Sequence, residues 1–290
     1  MIAELTPQYL WGMGTDDAYG TRKRIDFVSE VIAEMCPATV LDIGCGTGNQ
    51  LTKPLAERFQ DVLFLGVDSD EATIAGARQS NVLPNLSFGL EPTGTFDLII
   101  ASEVMEHVID PVEFLRSLRN RLATGSSRVV VTVPNGFGPF EIAAAVERTL
   151  HGPKLGHVSR AVSGALRRAK HIVVGAPDLE AAHARANTFA DSPHVNFFSR
   201  SDVEVVAGAA GFAVERQRSR TLVCGYGFDR VVKGRLAQWN CALADALPSM
   251  SSGWMFVLKQ GETRPGAYVP GRWATWKRKH LMELHGGPRP

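Results

Sequence analysis

The sequence predicts an α/β protein in which helices cover a parallel sheet. Two observations predict this class. Short apolar runs of strand length recur along the chain, and the segments between them carry apolar residues three or four positions apart, as amphipathic helices do. Strands that alternate with helices run parallel, because each helix carries the chain back across the sheet.

The first predicted strand, Thr39–Ile43, ends in a glycine-rich turn at residues 44–48. A helical pattern with apolar residues at positions 51, 55 and 59 follows this turn. The other predicted strands span residues 62–67, 86–89, 96–101, 128–133, 212–223 and 254–259. Further helical patterns occupy the intervening segments, including residues 200–210, which end before a glycine.

The domain organisation follows from where the alternation of predicted strands and helices begins, is interrupted and ends. We expect an N-terminal helical segment over residues 1–36, a core domain over residues 37–260 and a basic extension over residues 261–290. Two insertions are expected to interrupt the core. Residues 137–193 would form a helical lid over the carboxyl edge of the sheet, and residues 230–247 a second helical insertion.

Composition and charge exclude several classes. The chain has 290 residues, 44% of them hydrophobic and 21% charged, with a net charge of +1, so it is neither disordered nor uniformly basic. Residues 148–171 and 264–290 carry +6 and +5, which leaves an acidic body. These segments fit contact with an anionic substrate group, peripheral contact with a membrane, or simple solvation. The acidic body disfavours nucleic acid as a partner.

Localisation is expected to be cytoplasmic. The start of the chain shows no basic and apolar signal segment, and no apolar run is long enough to span a bilayer. The four cysteines are far apart and form no CxxC pair, so we expect reduced thiols rather than disulfides. The oligomeric state is left open.

The glycine turn predicts a nucleotide-like ligand. Glycines between a strand and a helix let the backbone approach a ligand closely. Asn49 stands where the dinucleotide fingerprint G-x-G-x-x-G/A needs a small residue, which argues against a nicotinamide oxidoreductase. Asp68 ends the next strand, where its carboxylate can accept hydrogen bonds from a ribose diol.

These segments resemble the class I S-adenosylmethionine-dependent methyltransferases. The resemblance rests on VLDIGCGTGN (residues 40–49), GVDSD (residues 66–70), FDLIIASEVMEH (residues 96–107) and the strand that leads to VPNG (residues 133–136). It implies a Rossmann-like fold with a seven-stranded, mostly parallel sheet, and S-adenosylmethionine as the cofactor.

The resemblance also implies roles for single residues. Asp42 matches the acid that orients the amino-acid part of the cofactor, and Asp68 matches the acid that binds the ribose. The full expected cofactor-binding set is Asp42, Gly44, Gly46, Gly48, Asn49, Asp68 and Ser69.

A second cluster follows the strand at residues 96–101. Glu103, Glu106 and His107 have the spacing i, i+3, i+4, which on a helical turn would place all three side chains on one face. With His194 as a fourth ligand, this set could bind Mg²⁺, Mn²⁺, Co²⁺, Fe²⁺ or Zn²⁺. The pattern resembles the ubiquinone-pathway catechol O-methyltransferases and the small-RNA 3′-terminal 2′-O-methyltransferases, in which the matching residues are associated with a divalent metal.

Several functions stay open at this point. The preferred one is metal-assisted O-methylation of a small hydroxylated molecule, such as a catechol or sugar with adjacent hydroxyls and an anionic group. In a metal-free O- or N-methyltransferase, His107 or His194 would act as the catalytic general base. From other classes, the chain could be a nicotinamide oxidoreductase or a cofactor-binding module without catalysis.

Overall fold

A computed structural model describes residues 18–136, 138, 194, 196–222, 232, 234–265, 268–272, 275 and 276. Most of the expected lid, at residues 137–193, lies outside these residues, as do residues 1–17 and much of the C-terminal extension. The described helices and strands are, in chain order, α1 Ala18–Met35, β1 Thr39–Ile43, α2 Thr52–Arg58, β2 Leu63–Val67, α3 Glu71–Ser80, β3 Leu86–Gly89, β4 Leu98–Ser102, α4 Pro111–Arg119, β5 Arg128–Pro134, α5 Arg200–Ala209, β6 Phe212–Ser219, α6 Arg235–Ala246 and β7 Gly253–Gln260.

The strands form one seven-stranded sheet in the order β3-β2-β1-β4-β5-β7-β6. Strands β1 to β5 pair in parallel, whereas β7 runs antiparallel to both β5 and β6. The expectation of a seven-stranded, mostly parallel sheet is confirmed. The chain order reverses between β1 and β4, and crevices at such switch points are where ligands bind in open α/β sheets.

Alternate strand residues fill two apolar layers, one on each face of the sheet. On one face, Leu41 and Ile99 pack in a cluster with residues of α4 and α5, such as Leu115 and Val203. On the other face, Val40 belongs to a cluster with residues of α1, α2 and α3. Because both faces are covered, the central strands read as continuous apolar runs.

Polar side chains begin two of the helices that cover the sheet. The Asp110 carboxylate accepts hydrogen bonds from the backbone N–H groups of Val112 and Glu113 at the start of α4. Ser199 and Asp202 form a capping box at the start of α5. These caps satisfy N–H groups that have no partner within the helix.

Several predicted strand boundaries differ from the observed ones by one or two residues, and the end of β6 differs by four. Strand β6 ends at Ser219, not at residue 223, because Thr221 and Leu222 leave the ladder. The Thr221 carbonyl accepts from the Ser252 N–H (2.7 Å), and the Leu222 N–H donates to the Asn240 carbonyl of α6 (3.3 Å). The second helical insertion, expected at residues 230–247, contains α6 over Arg235–Ala246. Residues 223–231 and 233 lie outside the description.

The insertion at residues 137–193 departs from the core and rejoins it at neighbouring points. The Gly136 N–H donates to the carbonyl of Phe198 (3.0 Å). A side chain at Gly136 would lie 2.7 Å from the backbone of Phe197, so the two segments touch closely. The Asn135 amide donates to the carbonyls of Ser249 and Ser251 just before β7. In the described part of the chain, none of the helices is both long and apolar enough to cross a membrane.

Candidate functional site

The glycine turn lies at the carboxyl end of β1 and needs glycine for two separate reasons. Gly44, Gly46 and Gly48 all have positive φ angles (69°, 54° and 74°), which L side chains rarely adopt. A Cβ at Gly44 would also lie 2.6 Å from Val104, and one at Gly48 2.6 Å from the Phe88 ring, whereas one at Gly46 would meet nothing within 4 Å. The turn therefore packs against the core on two sides and opens to a ligand at Gly46.

Asp42 is a buried carboxyl directly before the turn. Its exposed fraction is 2%, and the Thr52 hydroxyl donates to its Oδ2 atom (2.6 Å). Burial raises the pKa of Asp42 to about 7, although the Thr52 hydrogen bond and the positive charge of Arg24 oppose the shift. The carboxyl can therefore gain or lose a proton near neutral pH when a ligand changes its surroundings.

Asp68 follows β2 and faces the same turn. Its carboxylate accepts hydrogen bonds from the backbone N–H groups of Gly46 (3.0 Å) and Asp70 (3.1 Å), which fix its orientation. Asn49 and Ser69 are exposed beside the turn and beside Asp68. The structure thus brings the whole expected cofactor-binding set to one edge of the sheet.

The Glu-x-x-Glu-His segment does not form the expected helical turn with three side chains on one face. Residues 103–107 are irregular, and Glu103 has a left-handed φ of 57° that redirects the chain after β4. The Glu103 carboxylate turns aside, where it accepts from the Thr132 hydroxyl (2.7 Å) and from Arg220 Nη1 (2.7 Å). The prediction of a common face fails because these partners come from β5 and from the end of β6.

The other three expected metal ligands come together. The candidate ligand atoms of Glu106, His107 and His194 all lie within 4.8 Å of one another. The two imidazole rings meet edge to face, with centroids 4.9 Å apart. Asn196 connects the segment of His194 to this turn, because its N–H donates to the Glu106 carbonyl (2.9 Å) and its amide to the Met105 carbonyl (3.0 Å).

Glu106 is the most unusual member of this cluster. Its exposed fraction is 1%, and its Oε2 atom has no hydrogen-bond partner among the described residues. Burial, followed by the negative charge of Glu103, raises the pKa of Glu106 well above its usual range. A buried carboxylate needs a compensating charge or a proton.

The cluster has a donor set that suits a divalent cation. One carboxylate and two imidazoles are ligands that Zn²⁺, Co²⁺, Fe²⁺ and Mn²⁺ accept. Around one tetrahedral ion with bonds of about 2.1 Å, neighbouring ligand atoms lie about 3.4 Å apart, compared with at most 4.8 Å between the candidate atoms here. Side-chain movements of about an ångström would therefore bring the three residues to bonding distance.

Three polar residues at the site carry no sequence motif. Arg24 is 2% exposed, donates from Nη1 to the Ser102 hydroxyl (3.1 Å), and its charge acts on both Asp42 and Glu106. Thr132 and Arg220 hold Glu103. In the sequence, Arg24 is marked only by its position among the mostly apolar residues of α1. No local feature of the sequence marks Thr132 or Arg220 as site residues.

Comparison with known proteins identifies the family of this chain. The model of a family described as a methyltransferase domain matches residues 19–217. A ubiquinone biosynthesis O-methyltransferase of Caulobacter sp. (strain K31) is 36% identical over 104 residues, which cover 32% of this chain and 40% of that protein. A trans-aconitate 2-methyltransferase of Deinococcus radiodurans is 39% identical over 110 residues, which cover 36% of this chain and 41% of that protein.

One solved structure is magnesium protoporphyrin IX methyltransferase from Synechocystis PCC 6803 with bound SAH, S-adenosylhomocysteine. It superposes with a TM-score of 0.47 and 16% identity over 84% of this chain and 85% of that chain. The chain spans about two fifths of the length of the curated relatives that it matches. Because the family model covers more than half of the chain, the protein belongs to the methyltransferase domain family, within the class I S-adenosylmethionine-dependent methyltransferases.

Proposed function

We propose that the protein transfers the methyl group of S-adenosylmethionine to one hydroxyl of a small molecule with adjacent hydroxyls, assisted by a divalent cation. Glu106, His107 and His194 would hold this cation. The observation that carries the proposal is the buried Glu106 carboxylate, which shares a group of candidate ligand atoms with two imidazoles and whose Oε2 atom lacks a hydrogen-bond partner among the described residues. A catechol or a sugar diol has the matching chemistry.

The cofactor would lie across the glycine turn. Asp68 would accept the ribose hydroxyls, and the open side of Gly46 would let the cofactor approach the backbone. Asp42 would favour the positively charged amino-acid part when it is ionised. Arg24, a buried cation whose charge acts on Asp42, would offset the cofactor's carboxylate.

The reaction would be a direct displacement. The bond between sulfur and the methyl carbon breaks as a hydroxyl oxygen forms a new bond to that carbon, and the hydroxyl proton is released. A divalent cation, when bound, lowers the pKa of a hydroxyl and orients it. Glu106 would contribute a negative charge in a buried setting, and the histidines would contribute neutral nitrogens. If no cation takes part, His107 or His194 would accept the proton.

A small-molecule acceptor is supported by two of the relatives, and an anionic group on it by the charge pattern. One relative is named for O-methylation in ubiquinone biosynthesis, and another for methylation of trans-aconitate, so both names give small-molecule roles. The basic segments at residues 148–171 and 264–290 favour an acceptor that carries an anionic group.

Calorimetry tests the proposal directly. We would titrate Mn²⁺ and Co²⁺ into chelator-stripped protein saturated with S-adenosylhomocysteine, and compare Glu106→Gln with the control Glu113→Gln, whose side chain is 69% exposed on α4. We expect about one ion per chain in the wild type and the control, and at least a hundredfold weaker binding in Glu106→Gln. Methylation of a catechol panel should then stop in excess EDTA. Full activity in EDTA would refute the metal and favour a histidine base.

A further inference from the structure

We infer that Arg220 is a positioning residue that withdraws Glu103 from the metal cluster, so that the cation is held by three protein ligands instead of four. The inference rests on the proposed metal-assisted function. It concerns which of the chain's own residues are available to the cation.

Both carboxylate oxygens of Glu103 are already engaged. Oε1 accepts from the Thr132 hydroxyl and Oε2 from Arg220 Nη1, each at 2.7 Å. The Glu103 backbone N–H also donates to the Thr132 carbonyl (3.0 Å), which holds the left-handed conformation of this residue. Glu103 is accordingly not a member of the metal-ligand group that the described residues form.

Arg220 is built firmly into the edge of the sheet. Its side chain is 5% exposed, its N–H donates to the Gly253 carbonyl (2.9 Å), and its own carbonyl accepts from Lys23 Nζ (2.9 Å). A Cβ at Gly253 would lie 2.9 Å from Cδ of Arg220, so glycine at the start of β7 makes room for the arginine. Moving Glu103 to a cation would strip a buried guanidinium of this carboxylate, which is costly.

The withdrawal has two consequences for the site. A three-residue set leaves coordination positions that the oxygens of an acceptor can occupy, as in catalytic zinc sites with three protein ligands. It also leaves one negative charge on the cation's ligands instead of two, and a less neutralised cation is the stronger Lewis acid. Arg220 would thus determine both how many coordination positions are open to the acceptor and how much negative charge the protein ligands place on the cation.

Cobalt titration separates this inference from the proposed function. Co²⁺ is added to the chelator-stripped, S-adenosylhomocysteine-saturated wild type, Glu103→Gln and Arg220→Met, with calorimetry and the visible absorption of Co²⁺ as readouts. We expect Glu103→Gln to bind within threefold of the wild type with an unchanged spectrum. Arg220→Met frees Glu103, so we expect about tenfold tighter binding and a spectrum of altered coordination.

Each contrary outcome has a distinct meaning. A hundredfold loss of binding in Glu103→Gln that still binds S-adenosylhomocysteine would make Glu103 a ligand and overturn the inference alone. An unchanged spectrum in folded Arg220→Met would also overturn it. Absence of Co²⁺ binding in the wild type would overturn the proposed metal and the inference together. Should a single variant unfold, the double variant Glu103→Gln/Arg220→Met removes both charges, and it must still bind Co²⁺ with the wild-type spectrum.

Discussion

Asp42 should make the ligand-free protein less stable as the pH rises from about 4 to about 7. Its pKa is raised by burial from 3.8 to about 7, so the folded protein keeps this proton through a range in which the unfolded chain releases it. Because the folded state then binds more protons, stability falls with rising pH and levels off above pH 7. At about 1.4 kcal/mol per pKa unit, the loss is at most about 4 kcal/mol.

The change that tests this is Asp42→Asn, which preserves size and removes the titration. Urea denaturation followed by circular dichroism, from pH 4.5 to 8, gives the free energy of unfolding for both proteins. Glu106 also has a raised pKa, so the wild-type profile alone would mix two groups. The difference between the variant and the wild type isolates Asp42. Between pH 4.5 and 8 it should grow in favour of the variant by up to about 3 kcal/mol.

Asp70→Asn is the control, because the pKa of Asp70 is shifted in the opposite direction from that of Asp42. Hydrogen bonds from Thr73 lower the pKa of this exposed carboxyl, so its removal should not favour the variant at higher pH. If the Asp42→Asn and wild-type profiles remain parallel, Asp42 is ionised throughout the range and burial does not control its charge. That outcome would contradict the raised pKa of Asp42.

Two further predictions concern the cofactor site. Gly48→Ala should unfold at a lower temperature, because residue 48 has a positive φ and a Cβ there would lie 2.6 Å from Phe88. Gly46→Ala has only the positive φ, so it should lose about 1–2 kcal/mol of stability. It should nevertheless bind S-adenosylhomocysteine at least tenfold more weakly. Thermal denaturation and calorimetry check both, and unchanged affinity in Gly46→Ala would place the cofactor elsewhere. Arg24→Met should bind S-adenosylhomocysteine about tenfold or more weakly than the wild type does. Its affinity for methylthioadenosine, which lacks the amino-acid part, should be unchanged. Equal weakening of both ligands would indicate a general loss of structure.

Local patterns predicted the sheet and the glycine turn well, because the cause of each lies within a few residues. A strand that runs into glycines with positive φ is a local property, and so is an acid at the next strand end. The conformation of Glu103 was predicted wrongly for the opposite reason. Its partners Thr132 and Arg220 are 29 and 117 residues away in sequence, and no local spacing reveals them.

The approach of His194 to His107 is an intermediate case. Residue types suggested the pair, but Asn196 connects the two segments through backbone carbonyls, which sequence spacing does not show. The irregular course of residues 103–107 was equally hidden, because the spacing i, i+3, i+4 suits a helical turn as well as a looser one. Within the second predicted helical insertion, the structure describes α6 over Arg235–Ala246.

The closeness of Gly136 to Phe198 has a consequence for how this protein can change. A segment whose two ends are joined by a backbone hydrogen bond forms a closed loop, and the entropy cost of closing a loop grows only slowly with its length. The core therefore does not depend on how many residues lie between these points. If residues 139–193 form the predicted lid over the acceptor, exchanging them for the corresponding segment of another family member should alter the choice of acceptor while the cofactor site keeps its geometry. Under that proposal, acceptor preference and cofactor binding would be determined by separate parts of the chain.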